Sequence, residues 1–559
     1  MRSLAEALAE VTAPGQPFET TEVELDGGPV RRFVNAPPTL REVFAPARGL
    51  PETFLVFEDE EWSFAAVMDQ VDGLAHALVH HFGVAKGDRV GIAMRNYPEW
   101  VVSFAAITSI GAISVSLNAW WTERELAFAV ADAGLSVLIA DAERVERALG
   151  PAERAGAAVL GVRLGAEAPA GVERWEDVVV PGRAMPVVPL EPDDDATILY
   201  TSGTTGVPKG AVSTHRAICQ ALMAFASGGT VQEARRDTPV RDAEAGDPQC
   251  FILIVPLFHV TGCVPVMLSC FLWHFRLVMM YKWDAGRALE LIERHRVTSF
   301  VGVPTQSWDL MESPDFARYD TSSLRSIGGG GAPAPPTLVE RVDRSFKGRP
   351  NLGYGMTETN AYGPGNYGEE YVSHPASTGR VPTIVTDVEI RDEAGRVLEP
   401  GQRGEIWLRT PTLIRGYWHN PAATDEAIRH GWLRTGDLGH VDDEGFLYVE
   451  DRVKDMILRG GENVYSAEVE AAIYEHPAVY EAAVVGLAHQ RLGEEVGAVV
   501  MVRDGDDLDA ESLRDFLAQR LAPFMVPTRI AITHEPLPRN PAGKFVKREM
   551  RARYFDPRE

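Results

Sequence analysis

The stretch with the clearest chemical potential is LYTSGTTGVPKGAVSTH, Leu199–His215. Glycines leave the backbone free to turn tightly and to present its N–H groups, while hydroxyls and an ammonium add further donors. The donors come from Gly203, Gly206, Gly210, Ser202, Thr204, Thr205 and Lys209. Such a set suits a polyphosphate. A Walker A loop is excluded, because the pattern GxxxxGK[ST] counted from Gly203 requires glycine where Pro208 stands.

Within this stretch, YTSGTTGVPKG resembles the phosphate-binding signature of the adenylate-forming superfamily. That superfamily includes acyl- and aryl-CoA synthetases, the adenylation domains of peptide synthetases, and beetle luciferases. Further motifs follow in the order and spacing of the family: GGGGAP, GYGMTET, LRTGDLG, DRVKDMILRGGENVYSAEVE and LPRNPAGKFVKRE. The chain is identified as a member of this superfamily, in its acyl-CoA synthetase (fatty acid–CoA ligase) branch.

The resemblance implies a complete ATP site. It implies that Tyr354 packs on the adenine, Thr357 contacts the α-phosphate, Glu358 binds magnesium, Asp437 accepts bonds from both ribose hydroxyls, and Arg452 also reaches the ribose. The ATP-binding residues implied in this way are Thr201, Ser202, Gly203, Thr204, Thr205, Gly206, Lys209, Gly330, Gly331, Ala332, Pro333, Tyr354, Gly355, Met356, Asp437 and Arg452.

The C-terminal motif places the family's catalytic lysine at Lys544. A carboxylate is already a nucleophile at neutral pH, so its attack on the α-phosphorus of ATP needs no general base. The difficulty is that both reactants are negative, and positioned positive charge reduces it. The catalytic residues implied are Lys544, Thr357, Glu358 and His259, and the ligands implied are ATP, Mg²⁺ and coenzyme A.

The acid substrate is expected to be hydrophobic. Amino-acid-activating relatives carry an aspartate where PLFHVTG places His259, and without a buried acid an α-amino group has no favourable site. His259 instead resembles the aromatic gate of acyl- and aryl-CoA synthetases. The expected lining, His259, Val260, Gly302, Gly331, Gly353, Gly355 and Asn360, is rich in glycines that would leave room for a bulky or elongated chain. A medium- or long-chain fatty acid is favoured, and an aryl or arylalkanoic acid is the alternative.

Coenzyme A is the expected acceptor, because the sequence ends before any carrier-protein domain. By resemblance, the turn RGGEN helps to line the pantetheine tunnel through Gly460, Gly461 and Glu462. Two readings from other classes remain open. A luciferase-like oxygenase would share these motifs, and a non-catalytic ATP-binding scaffold is expected to have lost Lys544 or Glu358, which are both present.

The elements that must position these residues alternate between short β-branched runs and amphipathic helical stretches, which predicts α/β layers with mostly parallel strands. The loop between DDATILYTS and the helix HRAICQALMAF carries the first motif, with Ser213 or Thr214 as the N-cap. We predict a large N-terminal domain, residues 1–453, of layered α/β subdomains plus a small β unit. A smaller, mobile α+β C-terminal domain, residues 454–559, follows a hinge near Lys454.

Composition excludes several other classes of protein. The 559 residues carry a formal net charge of −26, which repels nucleic acid. Four cysteines without metal spacing predict reduced core residues and a cytoplasmic location. The uncharged segment Cys250–Trp273 contains Pro256, Gly262 and Pro265, and therefore predicts a strand, a loop and a core helix rather than a membrane span. A monomer or a homodimer is compatible with the sequence.

Overall fold

A computed structural model of the chain describes residues 2–25, 27–165, 167–201, 208–235, 247–331, 334–460, 462–540 and 544–556. Strands and helices alternate through the first third: α1 Leu4–Val11, β1 Thr20–Leu25, β2 Gly28–Phe33, α2 Leu40–Phe44, β3 Thr53–Phe57, β4 Glu60–Ser63, α3 Phe64–His80, β5 Arg89–Ala93, α4 Pro98–Ser109, β6 Ile113–Ser116, α5 Glu123–Ala133, β7 Val137–Asp141, α6 Ala142–Ala155, β8 Ala158–Val162, β9 Val172–Arg174 and α7 Trp175–Val178.

The middle third continues the alternation: β10 Asp195–Thr201, β11 Lys209–Thr214, α8 His215–Ala234, β12 Cys250–Leu253, α9 Ser269–Trp273, β13 Arg276–Met279, α10 Ala285–His295, β14 Ser299–Gly302, α11 Pro304–Glu312, β15 Ser326–Gly330, α12 Pro336–Ser345, β16 Arg349–Gly353, β17 Gly365–Tyr367 and α13 Gly368–Ser373.

The last third is richer in strands: β18 Gly379–Arg380, β19 Asp387–Arg391, β20 Gly404–Arg409, β21 Gly416–Tyr417, α14 Pro421–Ala427, β22 Ile428–Arg429, β23 Trp432–Val441, β24 Phe446–Arg452, β25 Ile457–Arg459, β26 Glu462–Val464, α15 Ser466–Tyr474, β27 Val479–His489, β28 Gly493–Val502, α16 Ala510–Ala518, β29 Arg529–Thr533 and α17 Lys547–Met550.

Two eight-stranded sheets dominate the structure. Their strand orders are β21-β11-β10-β6-β5-β7-β8-β9 and β17-β16-β15-β14-β12-β13-β3-β4, and most neighbouring strands are parallel. Helices cover both faces, so β6 and β7 are buried at every residue, and β7 is an apolar run from Val137 to Ala140. The predicted α/β layers with mostly parallel strands are confirmed.

The rest of the chain forms smaller sheets. A six-stranded sheet contains β18, β24, β23, β20 and β19 in that order, with β22 paired to β23, and all these pairs are antiparallel. It ends at Arg452 with β24. A five-stranded sheet begins at Ile457 with β25 and packs with α15 and α16 around a core of its own. The predicted large N-terminal part with a β unit, followed by a smaller α+β part, is thus observed.

The uncharged segment Cys250–Trp273 forms β12, a π-helical turn over Gly262–Leu268 and the short helix α9. In the described ranges no helix combines the length and the apolar character that a membrane crossing needs. The four cysteines are free and buried, as predicted.

Lys209 differs from its predicted setting. The sequence suggested that one loop runs from β10 to the helix, but Lys209 is the first residue of the strand β11, and β11 pairs antiparallel with β10. The short strand KGAVST gave a weak strand signal, because turn residues directly precede it. Thr214 caps α8 by accepting the N–H of Ala217 at 3.2 Å, in agreement with the predicted N-cap.

Candidate active site

Four motifs meet at the carboxyl ends of parallel strands in the second large sheet. β14 pairs with β12 and with β15, and β15 pairs with β16, so that Gly302 lies opposite Gly329 and Gly330 lies opposite Gly353. The loops that follow these strands carry the residues predicted to bind adenine, phosphate and the acyl group. Ligands of open α/β sheets collect at this edge.

Asp437 joins two of the predicted ATP-binding residues. Its Oδ2 accepts the hydroxyl of Tyr354 at 2.7 Å, and its Oδ1 lies 3.2 Å from the Nε of Arg452. Asp437 and Arg452 are opposite each other on the neighbouring strands β23 and β24. Each carboxylate oxygen has a second lone pair, so both oxygens can still accept a ribose hydroxyl. Burial and the charge of Asp437 raise the pKa of Tyr354, which therefore remains a donor.

The motif GYGMTET ends in a tight turn that holds its residues close to β16. Thr357–Thr359 form one 3₁₀ turn, which the hydroxyl of Thr359 closes by accepting the N–H of Met356 at 3.2 Å. A Cβ at Gly355 would lie 2.2 Å from the carbonyl oxygen of Ala361, so only glycine fits there. The turn directs Thr357 and Glu358 toward the sheet edge that the other motifs share.

Glu358 is linked to Lys209 through Tyr417, a residue that the sequence analysis did not single out. The hydroxyl of Tyr417 donates to Oε1 of Glu358 at 2.6 Å. The ammonium of Lys209 lies 5.2 Å from the centroid of the same ring. Tyr417 is on β21, which pairs with β11. The sequence around Tyr417 is neither glycine-rich nor lysine-rich, so it gave no local signal for this link.

Contacts of its neighbours and of its own backbone hold Lys544 in the C-terminal part of the chain. Arg539 and Phe545 form a β-bridge, and the N–H of Lys544 donates to the side chain of Asn540 at 3.0 Å. Glu481 on β27 anchors this segment, because its carboxylate accepts the N–H of Leu537 at 3.1 Å and the guanidinium of Arg539 at 2.8 Å. The sequence analysis also missed Glu481 and Asn540. The partners of Glu481 lie far away in sequence, and the partner of Asn540 lies in an irregular loop.

The charges of the predicted ATP site act on Lys544. Burial and the cation of Arg452 lower the pKa of Lys544, while Asp437 and Glu358 oppose that shift. Its Cε lies 3.6 Å from the position that a Cβ on Gly331 would take. The structure therefore brings the C-terminal lysine to the edge where the glycine-rich loop, the magnesium candidate and the ribose candidates meet.

His259 lies on the acyl side of this edge. Burial and the cation of Lys544 lower its pKa to about 4, so the ring is neutral at physiological pH. Its Nε2 is buried and has no hydrogen-bond partner in the described part of the chain. The ring packs against that of Phe258 at 4.7 Å between centroids, and Val260 beside it is buried. A neutral ring with one unused nitrogen suits a position beside a carboxyl group.

The glycines predicted to make room for an acyl chain divide into two groups. No atom lies within 4 Å of a Cβ built on Gly353, which leaves open space there. At Gly302 a Cβ would lie 2.6 Å from the side chain of Gln306, and at Gly355 it would meet backbone. At Gly302 and Gly355 the protein itself fills the space beside the Cα, and room for an acyl chain beside Gly353 stays a prediction.

Asn360 was predicted to be the polar tip of the acyl pocket. It is fully buried, and both ends of its amide are engaged: Oδ1 accepts the hydroxyl of Ser213 at 2.9 Å, and Nδ2 donates to the carbonyl of Thr412 at 2.9 Å. The amide therefore joins β11 to the segment before β21. A one-dimensional pattern cannot show which polar side chains are already paired.

Some predicted residues lie outside the described residues: Ser202, Gly203, Thr204, Thr205, Gly206, Ala332, Pro333 and Gly461. The neighbours of this group are described. Thr201 ends β10, and its hydroxyl donates to the carbonyl of Lys209 at 3.4 Å. Gly460 has a positive φ of 64°, and it and Glu462 are exposed at the hairpin between β25 and β26.

Lys454 is exposed between the last strand of the six-stranded sheet and the first strand of the five-stranded sheet. Contacts join the two sides of it. Across Lys454, the N–H of Ser466 donates to Asp451 at 2.5 Å, and within the C-terminal part the ammonium of Lys547 donates to the hydroxyl of Ser466 at 2.5 Å. Further away, the hydroxyl of Tyr480 donates to Oδ1 of Asp309 at 2.6 Å.

Glu358 is the candidate magnesium ligand. Among the described residues no group of three His, Cys, Asp or Glu side chains could hold a metal ion. The single carboxylate of Glu358 fits magnesium in a nucleotide site, because Mg²⁺ is commonly held by one or two carboxylates together with substrate phosphates. The bond from Tyr417 uses one lone pair of the carboxylate and leaves the others available.

Comparisons with known proteins agree with this geometry. The family described as AMP-binding enzyme matches residues 44–418, and AMP-binding enzyme C-terminal domain matches residues 468–544. The chain is 34% identical to long-chain-fatty-acid–CoA ligase FadD13 of Mycobacterium tuberculosis over 479 residues, which is 84% of this chain and 89% of the relative. It is 35% identical to feruloyl-CoA synthase of Amycolatopsis sp over 494 residues, 88% of this chain and 94% of the relative.

A solved structure is similar along almost its whole length. It is o-succinylbenzoate CoA synthetase from Bacillus subtilis in complex with its acyl-adenylate intermediate. The TM-score is 0.78 at 28% sequence identity, and the alignment covers 94% of this chain and 99% of that chain.

Proposed function

The chain belongs to the family of AMP-binding enzymes, in the adenylate-forming superfamily, and from this premise we propose that it activates a hydrophobic carboxylic acid with ATP and transfers the acyl group to coenzyme A. It is an AMP-forming carboxylate–CoA ligase. The products are an acyl-CoA, AMP and pyrophosphate. A medium- or long-chain fatty acid is the favoured substrate.

One observation carries the proposal. Lys544 is buried where the charges of Asp437, Glu358 and Arg452 act on it, and its own charge acts on His259. A cation in that position can contact both a carboxylate on the His259 side and the α-phosphate on the Glu358 side. Positioned charge in a site that excludes water is the largest single contribution in many enzymes.

In the first step, a carboxylate oxygen attacks the α-phosphorus of ATP. The bond from that phosphorus to the oxygen bridging to the β-phosphate breaks, and pyrophosphate leaves with the electron pair. Lys544 offsets the charge of the two reacting anions, and Lys209 faces the departing phosphates. Magnesium held by Glu358 would supply further charge neutralisation at the phosphates. Asp437 and Tyr354 orient the nucleoside.

In the second step, the thiol sulfur of coenzyme A attacks the acyl carbon. The bond from that carbon to the phosphate oxygen breaks, AMP leaves, and the thiol proton is released. We propose that residues 454–559 rotate about Lys454 between the steps, which withdraws Lys544 and brings Gly460 and Glu462 to the pantetheine. The contacts across Lys454 would hold the first of the two arrangements.

Tyr480→Phe tests the rotation. The variant loses the bond to Asp309 that joins the two parts, so the arrangement with Lys544 inside becomes less populated. A hydrogen bond to a charged group contributes about 1.5–3 kcal/mol, so adenylate formation should slow by about tenfold or more. Thioester formation from supplied acyl-adenylate should not slow. Single-turnover assays of the two half-reactions measure this.

Tyr474→Phe is the matched control, because its hydroxyl contacts Ala482 within the C-terminal part. It should change both half-reactions equally, if at all. If Tyr480→Phe slowed both half-reactions to the same extent, the proposed rotation would be wrong.

The rate of adenylate formation should fall at alkaline pH. The pKa of Lys544 in the folded chain is lowered from its ordinary 10.5, so as pH rises its cation is lost at a lower pH than that of an unperturbed lysine. Lys544→Arg should remove this alkaline decline, because arginine stays protonated. ATP–pyrophosphate exchange measured against pH, with stability monitored in parallel, tests it. A decline that persists in the arginine variant would contradict the assignment.

The choice between fatty and aryl acids rests on the space around Gly353 and the neutral ring of His259. Named relatives act on both classes, as FadD13 and feruloyl-CoA synthase illustrate. We infer a fatty acid because Gly353 faces open space and the buried Val260 beside His259 is apolar. Competition between a saturated C12 acid and a cinnamic acid in one thioester assay tests the inference, and preferential use of the cinnamic acid would reverse it.

We also infer a cytoplasmic location. The four free, buried cysteines support it, because chains that fold in oxidising compartments tend to pair their cysteines.

A further inference from the structure

Tyr417 is not among the residues that the motifs supplied, yet it contacts two of them. Its ring lies under the ammonium of Lys209, and its hydroxyl donates to Glu358. Among the described residues, the Lys209 ammonium lies over this aromatic face and takes part in no ion pair. Lys209 is thus held by an aromatic face rather than neutralised by an acid.

The segment that carries Tyr417 is fixed to both large sheets. The N–H of Arg415 donates to Val212 at 2.8 Å and that of Trp418 to Gly210 at 2.7 Å, which attaches the segment to β11. The N–H of Ile414 donates to the carbonyl of Glu358 at 2.9 Å, which attaches it to the 3₁₀ turn. The position of Tyr417 is therefore set by backbone bonds on both sides.

We propose that Tyr417 is a positioning residue that keeps Lys209 and Glu358 adjacent but unpaired, so that the triphosphate and its magnesium ion can enter between them. The hydroxyl orients the carboxylate toward the metal, and the ring face seats the ammonium toward the β- and γ-phosphates. A cation over an aromatic face is held more weakly than in an ion pair, so it transfers readily to phosphate.

The proposal rests on the proposed function in one respect, namely that Glu358 binds magnesium. It requires that the hydroxyl and the ring of Tyr417 act separately, the hydroxyl on Glu358 and the ring on Lys209. Burial and the charge of Glu358 raise the pKa of Tyr417, which keeps its hydroxyl protonated as a donor.

Two substitutions distinguish the role of the hydroxyl from that of the ring. Tyr417→Phe keeps the ring for Lys209 but removes the donor to Glu358, and Tyr417→Leu removes both. The matched control is Tyr281→Phe, which removes another tyrosine–carboxylate bond, from Tyr281 to Glu143 at 3.3 Å, outside the motifs of the site. Titration calorimetry of the full-length chain with ATP, without acid substrate, is done in excess magnesium and in EDTA.

We expect Tyr417→Phe to weaken ATP binding about tenfold in magnesium and to leave it unchanged in EDTA, since the lost bond is one to a charged group. Tyr417→Leu should weaken binding in EDTA as well. The magnesium concentration for half-maximal ATP–pyrophosphate exchange should rise about tenfold in Tyr417→Phe. Tyr281→Phe should show neither effect, although it can lower the melting temperature.

Equal weakening of ATP binding by Tyr417→Phe in magnesium and in EDTA would overturn the proposal, because it would indicate general loosening of the site. Behaviour of Tyr417→Phe identical to that of Tyr281→Phe would overturn it too. These results are distinct from failure of the proposed function, which would appear as an absence of acid-dependent exchange in the unaltered chain while ATP still binds.

Discussion

Lys544→Ala should slow adenylate formation by about 10²–10³-fold, the usual cost of removing one preorganised charge from a reacting centre. The structure supplies the reason, since the lysine is buried within reach of the charges of Asp437 and Glu358. The segment that carries it is held by Glu481 and Asn540 and does not depend on the ammonium. Stability should therefore change little.

The same variant should convert supplied acyl-adenylate and coenzyme A to thioester at nearly the unaltered rate. Single-turnover assays that start from the acid or from the adenylate measure the two steps separately. Lys282→Ala, at an exposed lysine, is the control for loss of one positive charge. Equal loss in both half-reactions would contradict a role confined to adenylate formation.

Asp437→Ala should act on ATP binding. Its carboxylate is buried between Tyr354 and Arg452 and is the candidate acceptor for both ribose hydroxyls. Two hydrogen bonds to a charged group would be lost, and the Tyr354 hydroxyl would lose its partner. At about 1.5–3 kcal/mol for each bond, the KM for ATP should rise by about 10² or more. The KM for the acid should stay nearly constant.

Asp442→Ala is the control for this variant. Asp442 lies on the same β23–β24 hairpin and accepts the N–H of Phe446 at 2.8 Å. It should lower thermal stability without changing the KM for ATP. An unchanged KM for ATP in Asp437→Ala, in protein that remains folded, would remove Asp437 from the nucleotide site.

Much of the site was predictable because its residues occur in short motifs. Tyr354, Glu358, Asp437, Arg452 and Lys544 were located by resemblance, and the structure brings them to one sheet edge. Their functional roles stay predictions until the variants are measured.

What the sequence did not reveal depends on pairing in three dimensions. Tyr417 contacts residues far from it in sequence, so no local spacing marks it. Asn360 has a polar side chain that is already satisfied. Gly302 was predicted to provide space for an acyl chain, but the side chain of Gln306 from the next helix fills the space beside it. In each case the role of the residue depends on which atoms of distant residues lie next to it.

The fold was predictable at the level of layers. Buried parallel strands give apolar runs, as β7 does from Val137 to Ala140, and the amphipathic helices between such strands complete the pattern. The strand β11 was missed because its start follows directly on a turn-rich stretch, and its pairing with β10 and β21 is what makes it a strand.

The most direct test of the central claim is ATP–pyrophosphate exchange across a panel of fatty and aryl acids, followed by addition of coenzyme A. We expect exchange that depends on a hydrophobic acid and on magnesium, and conversion to acyl-CoA with release of AMP once coenzyme A is present. ATP binding without exchange for any acid of the panel would contradict the account.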